Sequence, residues 1–153
     1  MEGRLGRSAR WGTTLRQGTS RGGFYRDDHD YILTAAGLAQ RAGTPAFCLV
    51  SSLGADASSS LFYLKTKGET EQTLSGLGFA SLVLVRPSLL IGDPRSSPRH
   101  MEAFSLFLGR HLTSLLHRRY RAVTKLQVAQ ALLEAGLRAA AGLHVIESEQ
   151  LQG

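Results

Sequence analysis

Apolar and polar positions alternate along this chain in two rhythms, one helical and one of short unbroken apolar runs. In DDHDYILTAAGLAQRAG, Tyr31, Leu33, Ala35, Leu38 and Ala39 supply much of an apolar helical face. This predicts a helix capped at Asp27 or Asp28 and ended by Gly43. Pro45 then breaks the chain ahead of AFCLV, a continuously apolar run expected of a strand buried on both faces of a parallel sheet. The rhythm repeats as a helical pattern over residues 60–77 and a second apolar strand, SLVLV, closed by Arg86 and Pro87. After the loop RPSLLIGDPRSSPRH come helical patterns over residues 101–116 and 124–140, then a last strand, LHVIES. Strands alternating with helices predict an α/β fold with a parallel sheet, and the chain reads as a late portion of a βα repeat.

Residues 1–23 show no sustained period and are expected to form an irregular basic leader and junction, with residues 24–153 as the domain. At 153 residues and 42% hydrophobic, the chain is long enough for one domain with a sizeable core. No apolar run reaches the length of a membrane span, so no transmembrane segment is expected. The leader also lacks the apolar core of a secretory signal. The expected location is cytoplasmic, with the nucleus as the other option.

The net charge of +6 raises the question of nucleic acid. Arg4, Arg7, Arg10, Arg16, Arg21 and Arg26 lie in or beside the leader, and Arg118, Arg119 and Arg121 form a second group in HRRYR. Neither cluster accompanies a nucleic-acid motif, and specific nucleic-acid binding is not expected. Cys48, the single cysteine, reads as a small buried hydrophobe. CxxC and HExxH spacings are absent, and the five histidines share no spacing, so no metal site is expected. Asp27, Asp28 and Asp30 read as helix N-terminal charges.

Candidate chemistry lies at the end of the first strand, because ligands of open parallel sheets collect outside the carboxyl ends of the strands. Ser51 and Ser52 occupy such an end. On a helix, Tyr63 and Lys67 share a face whereas Lys65 points elsewhere. An ammonium favours the ionised form of a neighbouring phenol, so the pair could move a proton near neutral pH. Ser51 could donate a hydrogen bond to a substrate oxygen at the same point. The plainer reading stays open beside this one: serines as helix caps, and Tyr63 as a packed ring beside a solvated amine. Arg86 reads as a structural hydrogen-bonding residue.

Several stretches together resemble one family: GTT at residues 12–14, GFYRDDHDY, SSLGADASSSLFYLKTKGETE, LVRPSLLIGD, and VAQALLEAGL leading to HVIES. They resemble the Tat-interacting oxidoreductase family of atypical short-chain dehydrogenases/reductases, whose domain is a Rossmann-like parallel sheet with flanking helices. The resemblance implies a Ser–Tyr–Lys site carried by Ser51, Tyr63 and Lys67, with the tyrosine as acid/base during hydride exchange with NADP(H). It implies further that Lys67 binds the nicotinamide ribose, that Leu90 lines the nicotinamide side, that Arg99 lies near the cofactor, and that Trp11 and Gly12 belong to a cofactor-contacting turn after the fourth strand.

The departure from the family is at the start. GRLGRSARWG has no preceding apolar strand and no helical run behind it, so it is not a glycine-rich dinucleotide fingerprint. The chain is therefore expected to be truncated at its N-terminus and to hold the late half of the fold only, with the first βαβ units missing. In a sheet of order 3-2-1-4-5-6 this leaves an exposed edge, which favours self-association, aggregation or docking to a protein partner. NADP(H) would then bind only with the missing half present, and this chain alone is expected to be inactive. The alternative function is a non-catalytic α/β protein-interaction module.

Overall fold

The structure is a computed structural model and describes residues 20–88, 90–91 and 121–152. Trp11, Gly12, Arg99 and the helical pattern over residues 101–116 lie outside the described residues.

The first helix begins earlier than the aspartates. Ser20 is its N-cap, with Oγ accepting from the Gly23 N–H at 3.2 Å. Helix α1 (Arg21–Tyr25) runs into a π turn (Arg26–Asp30) and then into α2 (Tyr31–Arg41). Asp27 and Asp28 are therefore inside the helical run and cap nothing, and Arg21–Gly23 of the expected leader are helical. The reason is tertiary. RGGFY has poor helix propensity, but Phe24 is buried with its ring centroid 5.9 Å from Phe62 and 5.6 Å from Tyr63. Packing overrides propensity here.

The other elements are β1 (Ala46–Val50), α3 (Phe62–Ser75), β2 (Ser81–Arg86), β3 (Leu90–Ile91), β4 (Val123–Thr124), α4 (Lys125–Arg138) and β5 (Gly142–Glu147), with a 3-10 turn at Ser148–Gln152. They follow the sequence rhythm except for two short strands, β3 inside the expected loop and β4, which pair with each other. Strands β1, β2 and β5 form a parallel sheet in the order β1-β2-β5, and β3 pairs in parallel with β4. A parallel sheet flanked by helices is a partial Rossmann-like α/β fold. Helix α4 starts at a capping box: Thr124 Oγ1 accepts from the Gln127 N–H, and Gln127 Oε1 accepts from the Thr124 N–H.

Strand alternation divides the core into two layers. Leu49, Leu82 and Leu84 pack with Ala36 of α2 and Leu74 of α3, with Phe47 at the margin. On the opposite face Val83 and Val85 pack with Val128, Leu132 and Ala135 of α4, beside Cys48, Val50 and Ile146. Burial there pushes the Cys48 thiol pKa up, as suits a structural cysteine. Strand β2 is buried on both faces, but β1 is not: only Leu49 of its five residues is fully buried. Among the described strands β1 has one neighbour, β2, so its flank stays open where β2 is covered from both sides. At the other edge Leu143 and Val145, registered with Leu82 and Leu84, remain 52% and 37% exposed.

Candidate functional site

The site begins where β1 stops. The Ser51 N–H donates to the Val85 carbonyl at 2.7 Å, one step beyond the strand, and the Leu53 N–H donates to the Pro87 carbonyl at 2.9 Å. These bonds seat Ser51 at the carboxyl end of the sheet. Its side chain is 5% exposed, and its Oγ is a buried hydroxyl with no hydrogen-bond partner among the described residues. Such a group costs about 1–3 kcal/mol when left unsatisfied, and the buried Ser81 hydroxyl at the start of β2 shares that state. Ser52 differs, because its hydroxyl donates to the Leu53 carbonyl at 3.3 Å.

From Ser51 the chain turns at Gly54, in the left-handed region at φ 79°, and is laid across α3. Asp56 organises this loop: its Oδ1 accepts from the Ser58 N–H and hydroxyl at 2.8 and 2.7 Å, and its own N–H donates to the Leu64 carbonyl at 3.1 Å. The closest approach is at Gly68. A Cβ there would lie 2.2 Å from both Ala57 N and Asp56 C, so the crossing requires glycine.

Helix α3 carries Tyr63, Lys67 and Glu71 at spacings of four along one face. Lys67 Nζ lies 5.9 Å from the Tyr63 ring centroid and 2.9 Å from Asp28 Oδ2. Lys67 is 8% exposed. Burial pulls its pKa down, but the Asp28 carboxylate, Tyr63 and Glu71 outweigh burial and hold it above the ordinary value. It is therefore an ammonium at neutral pH. Lys65 points away, half exposed and 3.9 Å from Glu69, as its place on the helix predicts.

Glu71 is gripped by Arg86, whose Nε donates at 3.0 Å and whose Nη2 reaches the second oxygen. Arg86 Nη1 also donates to Glu147 Oε1 at 3.2 Å. This bidentate pair ties α3 to β2 and, through Glu147, to β5. It holds the Arg86 pKa above its ordinary value, chiefly through the hydrogen bond to Glu71. Arg86 is thus a structural clasp.

The structure brings Tyr63 and Lys67 together and places Ser51 at the strand end from which the α3-crossing loop departs. Leu90 lies in β3, paired with Val123. Asp28 was missed as a partner of this face, because a contact between the first helix and α3 has no local signature in the sequence. Among the described residues no group of side chains could hold a metal ion, and no helix is long and apolar enough to cross a membrane.

The fold is a partial Rossmann-like α/β unit, with a tyrosine and a lysine on one helix and a serine at the end of a strand. No family model matches the chain. Protein HTATIP2 of Rattus norvegicus is 45% identical over 86 residues, covering 56% of this chain and 35% of that protein. Protein fmp52, mitochondrial, of Emericella nidulans is 41% identical over 96 residues, covering 63% of this chain and 41% of that protein. Protein FMP52, mitochondrial, of Candida albicans is 39% identical over 87 residues, covering 57% and 38%. The resemblance read from the sequence stands: over the matched part this chain is a relative of HTATIP2 and FMP52. It spans between 35% and 41% of the length of these relatives.

The names of the fungal relatives overturn the expectation of a cytoplasmic or nuclear location, because those proteins are called mitochondrial. The expectation rested on a missing secretory core, and mitochondrial import does not use one.

Proposed function

We propose that this chain carries the acid/base half of an NADP(H)-dependent oxidoreductase site, with Tyr63 as the proton carrier. The observation that supports this most is the buried Ser51 hydroxyl, without a hydrogen-bond partner among the described residues, at the carboxyl end of the parallel sheet from which the loop to α3 departs. Such a donor suits a carbonyl or alcohol oxygen of a substrate. In reduction, the Tyr63 O–H gives its proton to the carbonyl oxygen while Ser51 Oγ–H holds that oxygen in place. In the reverse direction the phenolate takes the alcohol proton. The Lys67 ammonium offsets the charge of that phenolate, which is the electrostatic reason for keeping it 5.9 Å from the ring. Bound NADP(H) would supply or accept the hydride.

The chain's residues fit such a cofactor at one end only. Lys67 has N–H groups to offer a nucleotide ribose, but the 153 residues contain no glycine-rich βα turn to seat a pyrophosphate. The test is calorimetric titration with NADPH of the 153-residue chain, and of a joined protein that adds the part of rat HTATIP2 it does not match. The chain alone should give no saturable heat, and the joined protein should bind in the micromolar range, about −8 kcal/mol. Within the joined protein Lys67→Met should abolish binding, and Lys65→Met should leave it unchanged. A joined, folded protein without affinity, or equal losses from the two lysines, would sink the reading and leave the non-catalytic interaction module in its place.

We also propose a mitochondrial location. The names of the fungal relatives support it. The labelled chain should be taken up by isolated, energised mitochondria and protected from added protease; exclusion would refute the proposal.

A further inference from the structure

The ammonium of Lys67 is enclosed by charged and titratable groups from two elements. From α3 come Tyr63 and Glu71, and from the π turn comes Asp28. Glu71 is already committed, because Arg86 holds both of its oxygens. Asp30 is held by His29 Nδ1 at 2.8 Å. Asp28 is the carboxylate in direct contact with Lys67, at 2.9 Å.

Asp28 is itself fixed at a second point. Its backbone carbonyl accepts from Thr70 Oγ1 at 3.0 Å. Thr70 is fully buried, and its single hydroxyl proton is shared between this carbonyl and the Thr66 carbonyl at 2.8 Å. One residue of the first helix therefore grips α3 twice, at Lys67 through its side chain and at Thr70 through its backbone. The π turn makes this geometry available. Its bonds run from N–H to the fifth carbonyl back, as Tyr31 N–H to Arg26 O shows, and this widened turn departs from the α-helical ladder just where the first helix meets α3.

Resting on the oxidoreductase reading of this site, we infer that Asp28 is a positioning residue for Lys67. Its carboxylate takes one of the three ammonium N–H groups, fixes the direction of the side chain beside Tyr63, and leaves two N–H groups for a ligand carrying paired oxygens. Burial by itself would favour a neutral, poorly directed amine. The counter-ion opposes that, and the Thr70 bond keeps the counter-ion in place.

The test needs no dinucleotide. The chain has three lysines, Lys65, Lys67 and Lys125, so a 15N-lysine-labelled sample gives three ammonium signals to titrate. Asp28→Asn preserves size and the backbone carbonyl. It should lower the Lys67 pKa by about 1–3 units and leave Lys65 and Lys125 in place. Glu69→Gln removes the partner of Lys65 and should not move Lys67. A folded Asp28→Asn protein with an unchanged Lys67 titration overturns the inference, as does an equal shift from Glu69→Gln. If the Asn variant does not fold, the unmodified chain decides: a scalar coupling across the hydrogen bond from Lys67 Nζ to the Asp28 carboxyl carbon is expected, and a resolved Lys67 signal without it refutes the contact. Failure of NADPH to bind the joined protein would count against the oxidoreductase reading and not against these titrations.

Discussion

Tyr63→Phe, placed in the joined protein described above, should lower reductase turnover by about 10² to 10⁴-fold, equivalent to roughly 3–5 kcal/mol of barrier. The substitution removes one oxygen. The ring keeps its packing against Phe24 at 5.6 Å, so stability and NADPH affinity should change little. A loss in turnover without a loss in binding is the signature of a group that acts in the reaction and not in holding the cofactor. Single-turnover rates measured beside the calorimetric affinity check it, and an unchanged rate would remove Tyr63 from the chemistry.

Gly68→Ala should be the most damaging single-methyl change in the described part of the chain. The added Cβ would sit 2.2 Å from Ala57 N and Asp56 C and 2.6 Å from Asp56 Cα. All three are backbone atoms, so no side chain can rotate away. The loop must lift from α3, at a cost of about 3 kcal/mol after the modest helix-propensity gain of alanine, and the melting temperature should fall by roughly 6–12 °C. Gly136→Ala on α4 is the control. Among the described residues no atom beyond its own helix backbone and chain neighbours lies within 4 Å of the position its Cβ would take, so the change should be neutral or stabilising by about 0.5–1 kcal/mol. Thermal unfolding of the two variants followed by circular dichroism separates the cases, and similar melting points would mean that the loop does not cross the helix at Gly68.

Much of the frame was legible because its signals are local. AFCLV and SLVLV are unbroken apolar runs, and both are strands. The pattern over residues 124–140 begins at Thr124, the residue that caps α4. The choice of Lys67 over Lys65 followed from the spacing of helical neighbours, and the structure puts the first beside Tyr63 and the second toward solvent. The errors lie where distant contacts decide. The first helix starts at Arg21 because Phe24 finds Phe62 and Tyr63, and no propensity argument on RGGFY contains those partners. Full burial of β1 was expected from composition, but burial depends on neighbours, and β1 has β2 alone among the described strands. Ser51 lies just beyond the strand, where its position after AFCLV put it. The need for glycine at residue 68 and the grip of Asp28 on α3 depend on the loop and the first helix folding back, which residue spacing does not encode.

The Arg86 clasp has a consequence for how this chain can vary over time. Glu71 is a nearly buried carboxylate whose charge is answered by Arg86, and Glu147 shares the same guanidinium. Loss of Arg86 alone would strand Glu71, a carboxylate almost without solvent, whereas exchange of residues 71 and 86 together for an apolar pair of similar volume can be nearly neutral. The two positions should therefore be inherited as a unit: lineages in which one has drifted should show compensating change at the other, and intermediates with one partner missing should be rare.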